Sequence, residues 1–503
     1  MRKFLARLAQ QGELNVIEEE VHWHLQASAL GAMSNRVGDK AIHFKKVKGY
    51  PEGVSLATSL LSGPGTLYTR KRLPWTRQAI ALELEPELAY NKYRYPEFLD
   101  VLRDRMRFPL PVTRVKGGAC KEQIQQGDEI DLFKFPFPFV HEGDAARYST
   151  FHNITARDPD SGMQEWGFSR VMLKDPRTLT ASFVPQEPSL ITVVGEGIWK
   201  IHKKYEKMGK PMPICVCLGV PMPLYIASLA FLPEGIDRAS LAGGLRIDPI
   251  VMAQAETSDL LVPNTCEIVI EGEVFPGERA VEGPYGEKSA GYSEPALQPV
   301  VRVRAITHRN DPILPFCVDG AKVSDIMSVL SIMASLELSR IIRLHANLFV
   351  NWFNLPVEWG LTTAVASIKP LFPGHPHQIA ATAFSSRAGR LIDKLIIVED
   401  DVPPMEMTYV YWDFIEKNHP DRGIVTWEGE DASMSPLVAY NNGPQRKQTG
   451  TKAFFDCTFP TTWPKEDIPA RLSFEHFPEE IQERVLRRWK ELGIQPEPQR
   501  VGR

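Results

Sequence analysis

The sequence predicts a multidomain protein of mixed α/β (α+β) class. The chain has 503 residues, which is more than one hydrophobic core usually holds. Short strand-like segments dominate the region from 119 to about 312, and helix and strand patterns alternate on both sides of it. We therefore predict three domains, at residues 1–118, 119–312 and 313–503.

The composition is typical of an ordinary folded protein, with 43% hydrophobic residues, 24% charged residues and a net charge of -4. This charge argues against a nucleic-acid surface. No apolar run approaches the 18 residues of a membrane span, and residues 1–13 lack the apolar core of a signal peptide. The six cysteines show neither disulfide-framework nor zinc-site spacing. We expect a cytoplasmic protein.

Apolar periodicity predicts helices at 2–11, 26–36 and 94–106 in the N-terminal domain, between short strands such as AIHFKKV. One further helix is predicted at about 189–208, between two strands of the central region.

In the C-terminal domain the pattern predicts a long amphipathic helix at 323–345, a helix at 376–389 that ends at Gly389, and a last helix at 479–493. The last helix carries one apolar stripe, which must pack against its own domain or a second subunit. We slightly favour the subunit.

The central region is predicted to form an antiparallel sheet or a barrel-like body. Its strand-like segments are joined by turns, and they read STFHNITAR, EWGFSRVMLKD, LTASFV, ICVCLGV, CEIVIEGEV and QPVVRVRAITHR.

Candidate catalytic residues lie in the stretch 265–292, TCEIVIEGEVFPGERAVEGPYGEKSAGY. Its first part alternates apolar residues with glutamates, which predicts a half-buried strand. The glycines and prolines that follow predict a constrained loop that holds Glu282 and Glu287. Two carboxylates in one pocket supply general acid and base chemistry. The alternative is that both are solvated surface charges.

Arg170 lies in the middle of the predicted strand EWGFSRVMLKD, beside Phe168 and Val171. An arginine at such a position is seldom buried without a partner, although it can also simply face outward. From these residues alone, a hydrolase that uses two carboxylates fits equally well.

Four ordered blocks resemble the motifs of the UbiD family of reversible decarboxylases. They are EWGFSRVMLKD, SDLLVPNTCEIVIEGEVFPGERAVEGPYGEKSAGY, SSRAGRLIDKLIIVEDD, and NNGP at 441–444. The similarity covers about residues 1–493 and is most specific in NTCEIVIEG followed by EGPYGE. It implies a central split β-barrel flavin-binding domain between two α/β domains. It also implies a terminal dimerisation helix, in a homodimer or a hexamer of dimers.

The resemblance also implies an activity, which is the non-oxidative, reversible decarboxylation of an aromatic or α,β-unsaturated acid, free or as a coenzyme A thioester. The cofactor would be prenylated FMN from a separate flavin prenyltransferase. The family's catalytic Glu-Arg-Glu set falls on Glu282, Arg170 and Glu287. Arg170 and Glu282 would orient the carboxylate and cofactor, and Glu287 would donate a proton to the carbon that loses carbon dioxide. A non-catalytic UbiD-like subunit of a larger carboxylase is an alternative.

The cofactor-binding positions that the resemblance implies are Trp166, Gly167, Phe168, Ser169, Arg170, Glu187, Ala227, Ser228, Arg238 and Arg387.

The positions of the family's metal ligands depart from its pattern. A divalent metal such as Mn²⁺, bound by Asn, His and Glu, usually holds the flavin phosphate, and potassium is also usual. Those positions here read Glu165, Pro188 and Arg238. Glu165 keeps a carboxylate ligand, whereas a proline side chain cannot ligate and an arginine repels a cation. One hypothesis is that Arg238 contacts the phosphate directly.

Overall fold

The structure is a computed structural model that describes residues 1–37, 40–62, 73–184, 196–233, 235–288, 291–320, 323–431, 449–469, 472–489 and 491–494. Its α-helices in chain order are α1 (Arg2–Gln10), α2 (Gln26–Val37), α3 (Thr76–Ala81), α4 (Pro86–Tyr90), α5 (Tyr95–Met106), α6 (Glu196–Met208), α7 (Met222–Ser228), α8 (Arg238–Arg246), α9 (Asp325–Ala346), α10 (His375–Phe384), α11 (Met407–Glu416) and α12 (Glu479–Arg488).

The strands in chain order are β1 (Leu14–Val21), β2 (Ala41–Val47), β3 (Ser55–Thr58), β4 (Thr113–Val115), β5 (Gln123–Gln126), β6 (Tyr148–Ser149), β7 (His152–Arg157), β8 (Gln164–Gly167), β9 (Val171–Asp175), β10 (Thr178–Ala181), β11 (Met212–Leu218), β12 (Val251–Gln254), β13 (Leu261–Pro263), β14 (Ile268–Glu282), β15 (Ala296–His308), β16 (Ile313–Pro315), β17 (Trp352–Asn354), β18 (Thr363–Ile368), β19 (Lys394–Glu399), β20 (Ile424–Asp431) and β21 (Thr449–Cys457).

These strands form separate sheets, and the predicted mixed α/β class is confirmed. The N-terminal sheet has the order β1-β2-β3-β16, and the C-terminal sheet has the order β17-β18-β19-β21-β20. A small sheet, β13-β12-β4, lies between them in sequence. The central sheet runs β6-β9-β10-β15-β14-β11-β7-β8, with β5 on β15, and its pairings are antiparallel.

The central sheet must curl, because consecutive strands lie far apart in its order. Strands β8 and β9 are separated along the chain by residues 168–170 alone, which span at most about 15 Å. Six strand spacings separate the same two strands along the sheet, which in a flat sheet would be about 29 Å. The two ends of the sheet therefore approach each other, as in the predicted barrel-like body.

The long hairpin of β14 and β15 is the spine of this sheet, with register from Ile268 opposite His308 to Glu282 opposite Ala296. The prediction of a half-buried strand is wrong for its first part, because both faces are buried from Ile268 to Gly272. Buried Glu271 is satisfied by the backbone N–H groups of Glu256 and Thr257, at 2.8 and 2.7 Å. Its burial therefore reflects satisfied hydrogen bonds rather than the period of the sequence.

The C-terminal helices differ from their predicted form in two ways. Helix α9 is buried on every side from Asp325 to Leu336, so this half is a core helix and not an amphipathic one. From Glu337 to Leu344 only Leu338 and Ile342 are buried, as in an amphipathic helix. Helix α10 ends at Phe384 and not at Gly389. The Ser386 hydroxyl donates to the carbonyl of Ala383 and accepts from the N–H of Gly389, and these bonds replace the next helical turn.

The last helix, α12, ends at Arg488, earlier than predicted, and none of its side chains is buried within the chain. Its predicted contact with a second subunit stays a prediction. Among the described residues, no helix has both the length and the apolar character that a membrane crossing requires.

We expect Glu271→Gln to lower the free energy of unfolding by about 1.5–3 kcal/mol, because a neutral amide accepts the Glu256 and Thr257 bonds less strongly and also presents a donor to them. The matched control is Glu273→Gln on the same strand, whose partner is the exposed Arg304 and whose cost should be about 0–1 kcal/mol. Chemical denaturation of both variants checks the prediction, and equal losses would contradict it.

Candidate active site

The three residues between β8 and β9 carry Arg170 across the opening of the curled sheet. The segment EWGFSRVMLKD is thus two strands and not the single strand predicted. The reason is pairing, since β8 bonds to β7 while β9 bonds to β6 and β10. Arg170 lies in an irregular connection, where its side chain is free of the alternation that a strand imposes.

Arg170 and Glu282 form a bidentate ion pair. Nε and Nη2 of the guanidinium donate to the two carboxylate oxygens, both at 2.8 Å. The Glu282 side chain is 0% exposed and that of Arg170 is 14% exposed. Glu282 is the last residue of β14 and not a loop residue as predicted, so the strand itself fixes its position. The predicted partner for a buried arginine is therefore a carboxylate 112 residues further along the chain.

Glu287 completes the arrangement from the loop that follows β14. Its Oε1 accepts a hydrogen bond from Nη1 of Arg170. The Glu287 side chain is 31% exposed, in contrast to the fully buried Glu282. One guanidinium thus holds one inaccessible carboxylate and one carboxylate that a ligand can reach.

Electrostatics stabilise the charged form of Arg170. Burial alone lowers its pKa, but the hydrogen bonds of Glu282 and the charges of Glu287 and Glu282 outweigh burial, and the pKa is raised overall. The guanidinium is therefore a permanent cation. Burial, followed by the charge of Glu282, raises the pKa of Tyr148, so this phenol stays neutral and can donate a hydrogen bond.

Backbone contacts of residues 283–288 and 291–293 set the position of Glu287. The Oδ1 of Asp144 accepts from the N–H of Gly286 at 2.8 Å, and the N–H of Glu287 donates to the carbonyl of Gly291 at 2.8 Å. Gly283 has a φ of +86°, which favours glycine. A Cβ on Gly286 would lie 2.3 Å from Nδ1 of His141, so only glycine fits there as well.

Several residues that contact Arg170 and Glu282 were not predicted from the sequence. Tyr148 donates to Oε1 of Glu282 at 3.0 Å, and the hydroxyl of Ser293 accepts from Arg170 at 3.2 Å. The Cζ atom of Arg170 lies 5.1 Å from the centroid of the Tyr285 ring. The Tyr285 hydroxyl donates to Asp319 at 3.3 Å. Burial, and then the charge of Glu287, raises the pKa of Asp319. Tyr148, Ser293 and Asp319 lie outside the four quoted blocks, so the sequence offered no signal for them, whereas Tyr285 lies within EGPYGE.

The structure also brings the predicted cofactor segments together. The ring of Phe168 packs edge-on against Tyr225 of α7, with centroids 5.6 Å apart. The segment from Trp166 to Arg170 therefore lies beside the helix that ends with Ala227 and Ser228. The amide Oδ1 of Asn153 is buried without a partner among the described residues, and its Nδ2 lies 3.5 Å from the carbonyl of Gly167. An unsatisfied acceptor at this position suits a polar ligand such as a flavin.

Glu165 and Arg238 meet directly at the edge of these segments, with Oε1 and Nε 2.7 Å apart. Arg387 pairs with Glu196, the first residue of α6, at 2.9 Å. Glu187 and Pro188 lie outside the described residues. Within the described part of the chain, no group of three or more His, Cys, Asp or Glu side chains has the arrangement of a metal site. Among the described residues the donor set does not fit a divalent metal, because the predicted ligand Glu165 is bound to an arginine.

Comparison with known families identifies the fold. Residues 112–322 match the profile of the UbiD 3-octaprenyl-4-hydroxybenzoate carboxy-lyase Rift-related domain. Residues 5–93 and 328–457 match the N-terminal and C-terminal domains of the same carboxy-lyase. The chain belongs to the UbiD family. The identification from four ordered sequence blocks is confirmed.

Relatives of this UbiD chain include pyrrole-2-carboxylic acid decarboxylase of Pseudomonas aeruginosa, which is 29% identical over 98% of both chains. Ferulic acid decarboxylase 1 of Saccharomyces cerevisiae is 24% identical, again over 98% of both. The UbiD-class enzyme HmfF from Pelotomaculum thermopropionicum, solved in complex with FMN, has a TM-score of 0.79 and 27% identity, over 94% of this chain and 96% of that one. Vanillic acid decarboxylase of Sedimentibacter hydroxybenzoicus, with a TM-score of 0.82, 24% identity and 98% coverage of both chains, shows the fold alone.

A buried histidine links the connection to the sheet and predicts a pH dependence of stability. His152 is 0% exposed, and its Nε2 lies 2.8 Å from the carbonyl of Ser169. Burial lowers its pKa from 6.5 to about 4. The His152 imidazole therefore binds a proton more readily in the unfolded chain than in the folded one. Its contribution to the free energy of unfolding is fully present above pH 6.5 and is lost as the pH drops towards 4.

We expect this linkage to cost about 2 kcal/mol of folding free energy at pH 5. The thermal unfolding midpoint should thus fall less steeply between pH 7.5 and 5 in His152→Asn than in the wild type. The control His377→Asn, at an exposed position, should keep the wild-type slope. A His152→Asn slope equal to that of the wild type would contradict the prediction.

Proposed function

We propose that this protein reversibly decarboxylates an aromatic or α,β-unsaturated carboxylic acid, free or as a coenzyme A thioester, with prenylated FMN. The observation that carries the proposal is the single guanidinium of Arg170 between buried Glu282 and accessible Glu287. Membership of a carboxy-lyase family and the likeness to an enzyme solved with FMN support it.

Prenylated FMN, when bound, supplies the electron sink that loss of carbon dioxide from an unsaturated acid requires. Residues Trp166–Arg170 with Ala227 and Ser228 would hold its ring system, and Arg238 and Arg387 its phosphate end. The polypeptide itself then has to bind the acid, orient its carboxylate and deliver one proton.

Arg170 is the group that orients the acid. Glu282 and Ser293 accept the hydrogen bonds of Nε and Nη2, so these two nitrogens are fixed. Nη1 donates one hydrogen bond to Glu287, and its second N–H has no acceptor among the described residues. This N–H is available to a substrate carboxylate, and it holds that carboxylate next to Glu287.

Glu287 is the group that delivers the proton. Its side chain is 31% exposed, it lies within reach of the carboxylate position, and hydrogen bonds of Gly286 and Glu287 fix its backbone. In this proposal the Glu287 carboxyl group carries the proton, and Arg170 holds the substrate carboxylate beside it. After carbon dioxide leaves, its carboxyl group is positioned to protonate the carbon. In the carboxylation direction the same carboxylate removes that proton.

The proposal includes two kinds of partner, both of which the family resemblance implies. A flavin prenyltransferase would supply the cofactor, and a homodimer or a hexamer of dimers would form partly through α12. The uncovered side chains of that helix are compatible with a subunit contact.

We expect Glu287→Gln to lower turnover by at least about 100-fold while retaining flavin, because an amide cannot donate the proton. Carbon dioxide release from a panel of aromatic and α,β-unsaturated acids, and their thioesters, measures turnover on protein produced with a flavin prenyltransferase. The control is Glu278→Gln, which removes only a surface pair with Arg302 and should leave turnover within about 2-fold. Full turnover in Glu287→Gln would remove this residue from the mechanism.

The same assay separates the alternatives. A two-carboxylate hydrolase would act without flavin and would release no carbon dioxide. A non-catalytic subunit would bind flavin and leave every acid in the panel unchanged.

A further inference from the structure

Three oxygen atoms from two chain segments converge on the guanidinium of Arg238. Its Nε donates to Glu165 of β8 at 2.7 Å, and its Nη1 donates to the carbonyls of Ala227 and Ala230 at 3.0 and 2.9 Å. The side chain is 14% exposed, and Glu165 is 15% exposed. The guanidinium is therefore held in one orientation by three acceptors.

These three acceptors are the ligand types that hard cations prefer. Carboxylate and backbone carbonyl oxygens bind divalent cations, and carbonyl oxygens alone suit potassium. Here both types already accept from one permanent cation. A metal ion at this point would lose these ligands to Arg238 and would be repelled by its charge.

One end of the guanidinium is left open. Nη2 carries two N–H groups and makes no hydrogen bond to any residue that the structure describes. The Arg238 side chain is 14% exposed, so part of it can be reached from outside. A fixed arginine with two unused, accessible donors matches the geometry of a phosphate oxygen pair.

We infer that Arg238 is a built-in cation that binds the phosphate group of the flavin without a divalent metal or potassium. The inference rests on the proposed function, because it requires that a flavin is bound. It assigns Glu165 a different task from metal binding, which is to hold the guanidinium through Nε so that Nη2 faces the phosphate.

Further charged side chains lie near the Glu165–Arg238 pair, at the start of α6. Glu196 pairs with both Arg387 and Lys200, each at 2.9 Å. A Cβ on Gly197 would lie 2.6 Å from Cγ of Glu165, so α6 begins directly against the Glu165–Arg238 pair. Arg387 and Lys200 thus bring two further cations to the start of α6, next to this pair.

The test compares FMN with riboflavin, which lacks the phosphate, by fluorescence titration of flavin-free protein. With EDTA present and tetramethylammonium as the only buffer cation, the wild type should bind FMN as tightly as with Mn²⁺ and potassium added, within about 2-fold. Metal analysis of the FMN complex should show no stoichiometric divalent ion. A loss of affinity of about 10-fold or more in EDTA, or one Mn²⁺ per chain, would overturn the inference.

Arg238→Met should weaken FMN binding by about 10- to 100-fold, the value of a lost charge-assisted contact. It should leave riboflavin binding within about 2-fold, so the preference for FMN disappears. The matched control Arg246→Met removes an arginine from the other end of α8, where it pairs with Asp248, and should keep the preference. Equal weakening of both flavins by Arg238→Met would overturn the inference.

Glu165→Gln should change FMN affinity in different directions, depending on which of two roles the Glu165 carboxylate has. If Glu165 holds Arg238, the amide oxygen still accepts from Nε and one negative charge is lost, so FMN binding is unchanged or tighter. If Glu165 ligates a metal, FMN binding weakens and depends on added Mn²⁺. That second result would overturn the inference.

The outcomes also separate this inference from the proposed function. Wild-type protein that binds neither FMN nor prenylated FMN under any cation condition contradicts the function, and the inference with it. Protein that binds FMN only when metal is added contradicts the inference and leaves the function standing.

Discussion

The bidentate pair of Arg170 and Glu282 is the interaction on which the arrangement of the site depends. A fully buried carboxylate needs a cation, and this cation comes from the connection between β8 and β9, two strands that lie near the two ends of the sheet order. The pair therefore ties the closing point of the curled sheet to the end of β14. Loss of either partner would leave a buried charge unpaired, which usually costs about 3–5 kcal/mol. Structural closure and orientation of the reactive groups thus rest on the same two side chains.

Arg170 and Arg238 are held in the same way. Arg170 lies just after β8, and Arg238 of α8 pairs with Glu165 in β8. Each guanidinium is held by hydrogen bonds to acceptors of the protein, and in our proposal one of its Nη atoms also donates to a ligand. Arg170 presents Nη1 beside Glu287, and Arg238 presents Nη2 beside the start of α6. Because β8 and the connection after it carry both Glu165 and Arg170, the spacing between the two ligand-binding ends is set by the backbone. A flavin that spans this distance would be held at both its phosphate and its reactive end.

Features that depend on local sequence patterns could be predicted from the sequence. Features that depend on contacts between distant segments could not. The antiparallel central region, the ends of α1 and α5 within one or two residues, and the Glu282, Glu287 and Arg170 set all follow from periodicity, turn residues and motif order. Burial of Glu271 did not follow, because its donors come from another segment. The end of α10 at Phe384 depends on one serine hydroxyl. Tyr148 and Asp319 reach the site only through tertiary packing.

The most direct measurement is an absorption spectrum, with mass spectrometry of the acid-released cofactor, of protein produced together with a flavin prenyltransferase. The account predicts prenylated FMN at close to one per chain. Protein without bound flavin would contradict it, because Arg170, Glu282 and Glu287 would then have no electron sink to work with.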